Sequence, residues 1–226
     1  MQANDLLGLV KFFRSEEYLD KLIGGLIHCQ TPECYRQSDL EGVSDKHESC
    51  SYAWRSERGD DPIKVLINGH EIVEGLQALT VHNGVASDSW LSCWFMLQIP
   101  PDEEGLARLI DDIRRMKAEF GSSYAFLPAE QLQPFLNKVK TSASLSMWAG
   151  PVTYDDDHML WSWQCKSRAY RYQREYRLGF GDCSVTELES HSFTCEGGLG
   201  DFLFKNPDLQ IKHEQTGRVF FDLRAI

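Results

Sequence analysis

Leu6-Leu7-Gly8-Leu9-Val10-Lys11-Phe12-Phe13-Arg14-Ser15-Glu16-Glu17-Tyr18-Leu19 opens a stretch, running to Ile27, on which the reading of the fold turns. Apolar residues are frequent enough throughout for one long helix. The punctuation contradicts that. Leu9 to Phe13 is compact and bulky, as a buried strand would be. Ser15 then has the chemistry of an N-cap, and Glu16 and Glu17 complement the helix dipole in the first turn. Tyr18, Leu19, Leu22 and Ile23 supply the apolar face, and Gly24-Gly25 supplies the stop. Leu26 to Cys29 reads as a second strand. Thr31-Pro32 starts another helix, a cap followed by proline at the first helical position. The opening is therefore strand, helix, strand, short helix.

Working outward, residues 38–62 are the most polar stretch and read as a loop. Ile63 to Ile67 and Ile72-Val73 flank Asn68-Gly69, a strong hairpin signal. Strands follow at 76–82 and 90–98, closed by Pro100-Pro101. Asp102-Glu103-Glu104 opens an amphipathic helix over 102–120, with Leu106, Leu109, Ile110, Ile113, Met116 and Phe120 on one face and Gly121 as its stop. Tyr124 to Leu127 is a short strand, and a helix carrying Leu132, Phe135, Leu136 and Val139 comes after it. Beyond Lys140 the pattern turns to β, at 145–153, 159–165, 174–180, 191–195, 201–204 and 218–223. The whole reads as a single α+β domain over 1–226, with a mixed or antiparallel sheet, helices in the first two-thirds and a β-rich C-terminal third.

Composition bounds the function. The chain of 226 residues is 42% hydrophobic and 25% charged, enough for a sizeable core and against global disorder. Twenty-three Lys and Arg stand against 34 Asp and Glu, a formal charge of −11, which argues against broad nucleic-acid or anionic-membrane binding. No apolar run approaches the roughly 20 residues that span a bilayer. Met-Gln-Ala-Asn-Asp lacks the basic region and cleavage site of a signal peptide, so the expectation is a cytoplasmic protein. The seven cysteines are an odd, scattered set without a C-x-x-C pair and read as reduced thiols.

Few motifs carry chemistry. Cys29, Cys34, His47 and Cys50 are zinc-type donors, but their spacing is irregular for a zinc knuckle, and they read as unrelated thiols beside a polar loop. Asp155-Asp156-Asp157 reads as a solvated turn, because consecutive acids cannot all face one ion. The Gly-rich run at 197–200 lacks a following helix and reads as a β-turn. Lys166-x-x-Ala169-Tyr170-Arg171-Tyr172-Gln173-Arg174-Glu175-Tyr176-Arg177-Leu178 is different. In a strand, Gln173, Glu175 and Arg177 share one face, and an amide, a carboxylate and a guanidinium together can orient a ribose hydroxyl and neutralise a phosphate. A solvated outer face with a weak Glu175–Arg177 pair is the plainer reading of the same pattern.

This segment resembles a C-terminal box in a family of mostly uncharacterised bacterial proteins: a Lys, then Tyr-x-x-Gln or Tyr-x-x-Glu, then x-Glu-aromatic-Arg. The family's opening elements fall here on Lys11-Phe12-Phe13-Arg14, Tyr18 to Gly25, Leu26 to Cys29, Tyr35-Arg36 and Asp45-Lys46-His47-Glu48. Trp90-x-x-Cys93-Trp94-Phe95 takes the place of its central Cys-Phe strand. The family's Asn-Asp-Pro is replaced by Val43-Ser44-Asp45-Lys46. Its layout is similar to ADP-ribosyltransferases of the DarT kind, which use an early basic residue, an aromatic stacked on nicotinamide and a late strand-borne Glu. The resemblance implies that NAD is the substrate and Glu175 the catalytic carboxylate. It implies Tyr35 or Tyr170 as the stacking ring, Arg14 or Arg36 on phosphate, and Gln173 and Arg177 beside the nucleotide. Two functions stay open from the sequence. One is an NAD-using transferase or glycohydrolase of a bacterial toxin or phage-defence system. The other is a non-catalytic acidic protein, such as an immunity protein or antitoxin, that docks on a basic partner.

Overall fold

The computed structural model describes residues 6–40, 42–71, 75–84 and 87–226. The chain runs through β1 (Leu6–Phe13), α1 (Glu16–Ile23), β2 (Leu26–Cys29), α2 (Pro32–Gln37) and β3 (Tyr52–Arg55). Short strands β4 (Leu66–Ile67), β5 (His70–Glu71) and β6 (Ala78–Val81) precede the long β7 (Asp88–Gln98). Helix α3 (Glu103–Phe120), β8 (Ser123–Pro128), α4 (Leu132–Ser142), β9 (Met147–Pro151), β10 (Thr153–Tyr154) and β11 (Cys165–Lys166) follow. The chain closes with β12 (Glu175–Cys183), β13 (His191–Thr194), β14 (Phe204–Lys205), β15 (Gln210–Lys212) and β16 (Val219–Asp222). It is an α+β fold, and the four α-helices among the described residues all precede residue 143.

The central sheet has the order β14-β8-β1-β7-β12-β9, and every neighbouring pair is antiparallel. Alternation along β1 and β7 sorts side chains to two cores, one on each face. Leu9, Trp94, Leu178 and Phe180 meet Leu19 and Leu22 of α1 and Phe135 and Val139 of α4. Val10, Phe12, Phe95 and Leu97 meet Leu109, Ile113 and Met116 of α3. The sheet is thus sandwiched between helices.

The caps behave as their chemistry requires. Ser15 accepts from the Glu17 amide, Thr31 from Cys34 and Asp102 from Gly105. Gly121 stops α3 at φ +102°, and a Cβ there would lie 2.2 Å from the Phe13 carbonyl oxygen, so only glycine fits this close approach. Pro134 sits in the first turn of α4, where a missing N–H is tolerated.

Four expectations need correction. Tyr18 is not on the buried face of α1; it is exposed and its ring lies 5.2 Å from Lys21 Nζ. The polar stretch 38–62 is not simply a loop, since it contains β3 and buries Asp45, Glu48, Ser49 and Cys50, their polar atoms served by ion pairs and turn bonds. Asn68-Gly69 does turn a hairpin, with both residues at positive φ, but the strands are only Leu66–Ile67 and His70–Glu71; Ile72 and Val73 lie outside the described residues. The expected strands at 159–165 and 201–204 shrink to Cys165–Lys166 and Phe204–Lys205. Asp157 caps the Met159 amide and starts a 3-10 turn where the first of these strands was expected.

One departure from regularity positions everything that follows. The β1–β7 ladder ends at Val10↔Phe95, although β1 continues to Phe13 against β8 and β7 continues to Asp88 against β12. Between Lys11–Phe13 and Ser92–Trp94 the sheet splits.

Candidate functional site

A cavity of about 730 Å³ opens at this split. Its volume suits a small-molecule ligand, and most of its wall is apolar, from Phe13, Leu22, Leu91, Phe95 and Phe120. Glu48, Lys166, Gln173, Glu175 and Arg177 cluster in its wall, and strand alternation explains how Glu175 and Arg177 come to share it. A 3-10 turn over Arg168–Gln173 ends at Arg174, which takes the left-handed conformation (φ 42°, ψ 48°) and launches β12. Glu175 then lies opposite Phe95, and Arg177 opposite Cys93, on the face turned toward the cavity. Tyr176, on the other face, packs against the α1/α4 core.

Lys166 sits among these groups. Its Nζ is 2.8 Å from Glu175 Oε1, 2.9 Å from Gln173 Oε1, 3.4 Å from Glu48 Oε2 and 3.5 Å from Asp45 Oδ2. Arg177 closes the arrangement. Its Nε donates to Glu175 Oε2 at 2.6 Å, and Nη1 and Nη2 grip both Glu48 oxygens at 2.7 and 2.9 Å. Arg177 Nη1 also donates to the Trp163 carbonyl, and Gln173 Nε2 to the Gly42 carbonyl. A guanidinium held bidentate by one carboxylate, with four of its five N–H groups bonded, is the geometry that makes buried charge tolerable.

The electrostatics follow. Burial alone would push Glu175 up, but Arg177 and Lys166 outweigh it and hold the carboxyl well below the ordinary range. Glu48 is lowered by the same two cations against the same burial. Asp45 goes the other way: burial dominates the pull of Lys166 and raises it. Lys166 is raised despite burial, because Glu175, Glu48 and Asp45 surround it. Glu175 is therefore a fixed anion rather than a proton shuttle. Lys166 and Arg177 each take one of its oxygens once, and a carboxylate has roughly four lone-pair positions, so acceptor capacity remains.

The sequence-derived residues divide into three groups. Gln173, Glu175, Arg177 and Tyr35 all line the main cavity, Tyr35 arriving on α2. Arg14 lies exposed at its rim, with Nε and Nη2 both on the Glu119 carbonyl at 3.1 and 2.7 Å. Tyr170 and Arg36 are elsewhere. Tyr170 lines a separate, smaller cavity of about 370 Å³ with Asp45, His47 and Trp161; its hydroxyl donates to the Ser44 carbonyl, and Lys166 Nζ lies 4.5 Å from its ring. Arg36 is fully buried away from the cavity. Nε donates to Glu33 Oε2, Nη1 to the Glu48 carbonyl and Nη2 to the Val185 carbonyl, so each nitrogen is held by the protein and none lines the cavity where a phosphate would bind. The one-residue step from Tyr35 to Arg36 on a helix turns the side chain by about 100°, which is why the pair cannot serve one site.

Sequence reasoning gave no role to Lys166, Glu48, Asp45 or Lys11. All four belong to the resembling motifs. Lys11 had its own signal, a single charge inside the apolar strand Leu9 to Phe13. The cysteines are free thiols, and burial pushes Cys29 and Cys50 up to about 12. Among the described residues no group of three His, Cys, Asp or Glu side chains could hold a metal ion, and no helix is long and apolar enough to cross a membrane. No protein-family model matches the chain, and no curated protein or solved structure matches it either.

Proposed function

We propose that the cleft binds NAD or a close relative and supports cleavage of its nicotinamide–ribose bond, as an ADP-ribosyltransferase or glycohydrolase of a bacterial toxin or phage-defence system working in the cytoplasm. The observation that carries this reading is the convergence of Gln173, Glu175, Arg177 and Lys166 in the wall of a ligand-sized cavity that Tyr35 also lines. The resemblance of the C-terminal box to DarT-like enzymes points the same way.

The chemistry fits the parts. The C1′–N bond breaks, nicotinamide leaves with the electron pair that neutralises its ring, and the ribose gains oxocarbenium character. A carboxylate held ionised beside that ring stabilises it electrostatically and accepts a ribose hydroxyl. Water or an acceptor hydroxyl then bonds to C1′ and loses its proton to solvent. Lys166 and Arg177 position Glu175 rather than touch the reacting atoms.

The test is NAD consumption by wild type and Glu175→Gln, each with its thermal midpoint measured. The amide has one acceptor oxygen, whereas Lys166 and Arg177 each use one of the carboxylate's, so one of the two donors loses its partner and some stability is lost, on the order of 1–3 kcal/mol. Turnover should fall by about 100- to 1,000-fold in protein that is still folded. Wild type that neither binds nor consumes NAD overturns the reading, and the acidic protein docking on a basic partner then takes its place.

A further inference from the structure

We propose that Lys11 is the anchor for a phosphate or pyrophosphate group of the cleft's ligand, the role that Arg36 cannot fill. The inference rests on the nucleotide reading of this cleft but is tested apart from it. Lys11 is the first residue of β1 beyond the end of the β1–β7 ladder. Its Nζ crosses the split, donating to the Cys93 carbonyl at 2.9 Å and Ser92 Oγ at 3.3 Å, with the Trp94 ring 5.6 Å away. These partners are all neutral. The contrast with Lys166 in the same cavity is plain. Lys166 has three carboxylates within 4 Å, whereas Lys11 has no carboxylate at ion-pair distance among the described residues.

An ammonium in an apolar cleft without a counter-charge is costly, and an anionic ligand group supplies what the protein leaves out. Burial lowers the Lys11 pKa, and neighbouring Cys93, Cys29 and Glu175 offset that only in part. The surroundings suit a group carrying more than one negative charge. Arg14, Lys21 and His28 face the same cavity from the bend after β1, from α1 and from β2, and the ion pair of Lys21 is with exposed Glu17. The cavity's carboxylates, Glu48 and Glu175, are already bound by Lys166 and Arg177, and Glu175, though close enough to act on Lys11, makes no ion pair with it. A ligand with an anionic middle and a neutral or cationic head fits this arrangement.

The experiment is titration of wild type, Lys11→Met and Lys11→Arg with inorganic pyrophosphate, followed by calorimetry. Wild type should bind, Lys11→Met should bind about 10- to 100-fold more weakly, and Lys11→Arg should recover part of the loss. In reductively ¹³C-methylated wild type, the Lys11 resonance should titrate at higher pH when pyrophosphate is present. Wild type that does not bind millimolar pyrophosphate, a Lys11→Met variant of undiminished affinity, or a Lys11 resonance that pyrophosphate leaves unmoved overturns the proposal. NAD turnover separates the two ideas. Pyrophosphate binding that depends on Lys11 without NAD cleavage sinks the glycosidic reading alone. NAD cleavage with a KM unchanged in Lys11→Met sinks the phosphate anchor alone.

Discussion

Tyr35 and Arg36 are neighbours on one short helix, yet they belong to two clusters of buried charge that differ in a telling way. Around Arg36, Glu33 accepts from Arg36, Arg55 and Gln37, and Asp88 accepts from Ser49 and lies 3.8 Å from Arg36. Around Lys166, the carboxylates of Glu175, Glu48 and Asp45 crowd one ammonium, and Arg177 joins two of them. Both clusters are equally hidden from bulk water. Glu48 even links them, its carbonyl accepting from Arg36 and its carboxylate from Arg177. The second borders the two cavities described above, and among the described residues Glu33, Arg36, Arg55 and Asp88 line neither. Burial and charge are therefore poor guides to a site by themselves; what separates the two is whether unused lone pairs face a space that a ligand can occupy.

The largest expected effect sharpens that contrast. Arg36→Met removes the cation between Glu33 and Asp88 and should cost about 3–5 kcal/mol in chemical denaturation, the range for breaking a buried ion pair from one side. Folded mutant protein should keep the pyrophosphate affinity of wild type, because Arg36 does not reach the cavity. A selective loss of that affinity at unchanged stability would break the division between the clusters.

A smaller effect depends on pH. Burial, which outweighs the hydrogen bond from Ser49 and the charge of Arg36, pushes Asp88 up to about 6. Its folded pKa lies above its unfolded one, so the native state binds the extra proton. Stability from this group is full below about pH 4 and is lost as pH rises through 6. Asp88→Asn should flatten that slope, gaining on wild type between pH 4 and 7 by on the order of 2 kcal/mol. A stability difference that does not change over that window would mean the Asp88 carboxylate is better compensated than its surroundings suggest.

The smallest concerns the helix that serves both clusters. Thr31 caps α2 through the Cys34 amide and donates its hydroxyl to the Glu187 carbonyl. Thr31→Ala should cost about 1 kcal/mol by thermal melting. Because α2 carries Tyr35 as well as Arg36, the same change should weaken ligand binding slightly; an effect on neither quantity would show that other contacts hold the helix.

Local signals in the sequence were read well and distant ones poorly. Ser15, Thr31, Asp102 and Gly121 mark helix ends with their own chemistry, and the elements they bound fall where expected. A period of two does place Glu175 and Arg177 on one face of β12, but Gln173, expected on the same strand face, reaches the cluster from the end of a 3-10 turn, because left-handed Arg174 breaks the strand before it. What could not be read was which face meets a cavity, since that depends on where the β1–β7 ladder stops. The polarity of 38–62 misled because Asp45 and Glu48 find their cations at Lys166 and Arg177, far along the chain. Arg36 misled for the opposite reason: adjacency to Tyr35 in sequence says nothing about direction in a helix.

The wall formed by residues 42–48 has one more consequence, in the language of chain statistics. Gly42, Ser44 and Glu48 are tied to Gln173, Tyr170 and Arg177, links spanning 131, 126 and 129 residues. The backbone bonds of this wall are local, the longest running from the Asp45 amide to the Tyr35 carbonyl. Closing a loop of that length costs on the order of 4 kcal/mol in entropy, but the cost falls on the first link alone, because the others close almost the same loop. No single tie offsets that cost with much to spare, whereas the three together do. The three ties therefore reinforce one another, and the cleft behind the wall is complete only when residues more than half the chain apart have met.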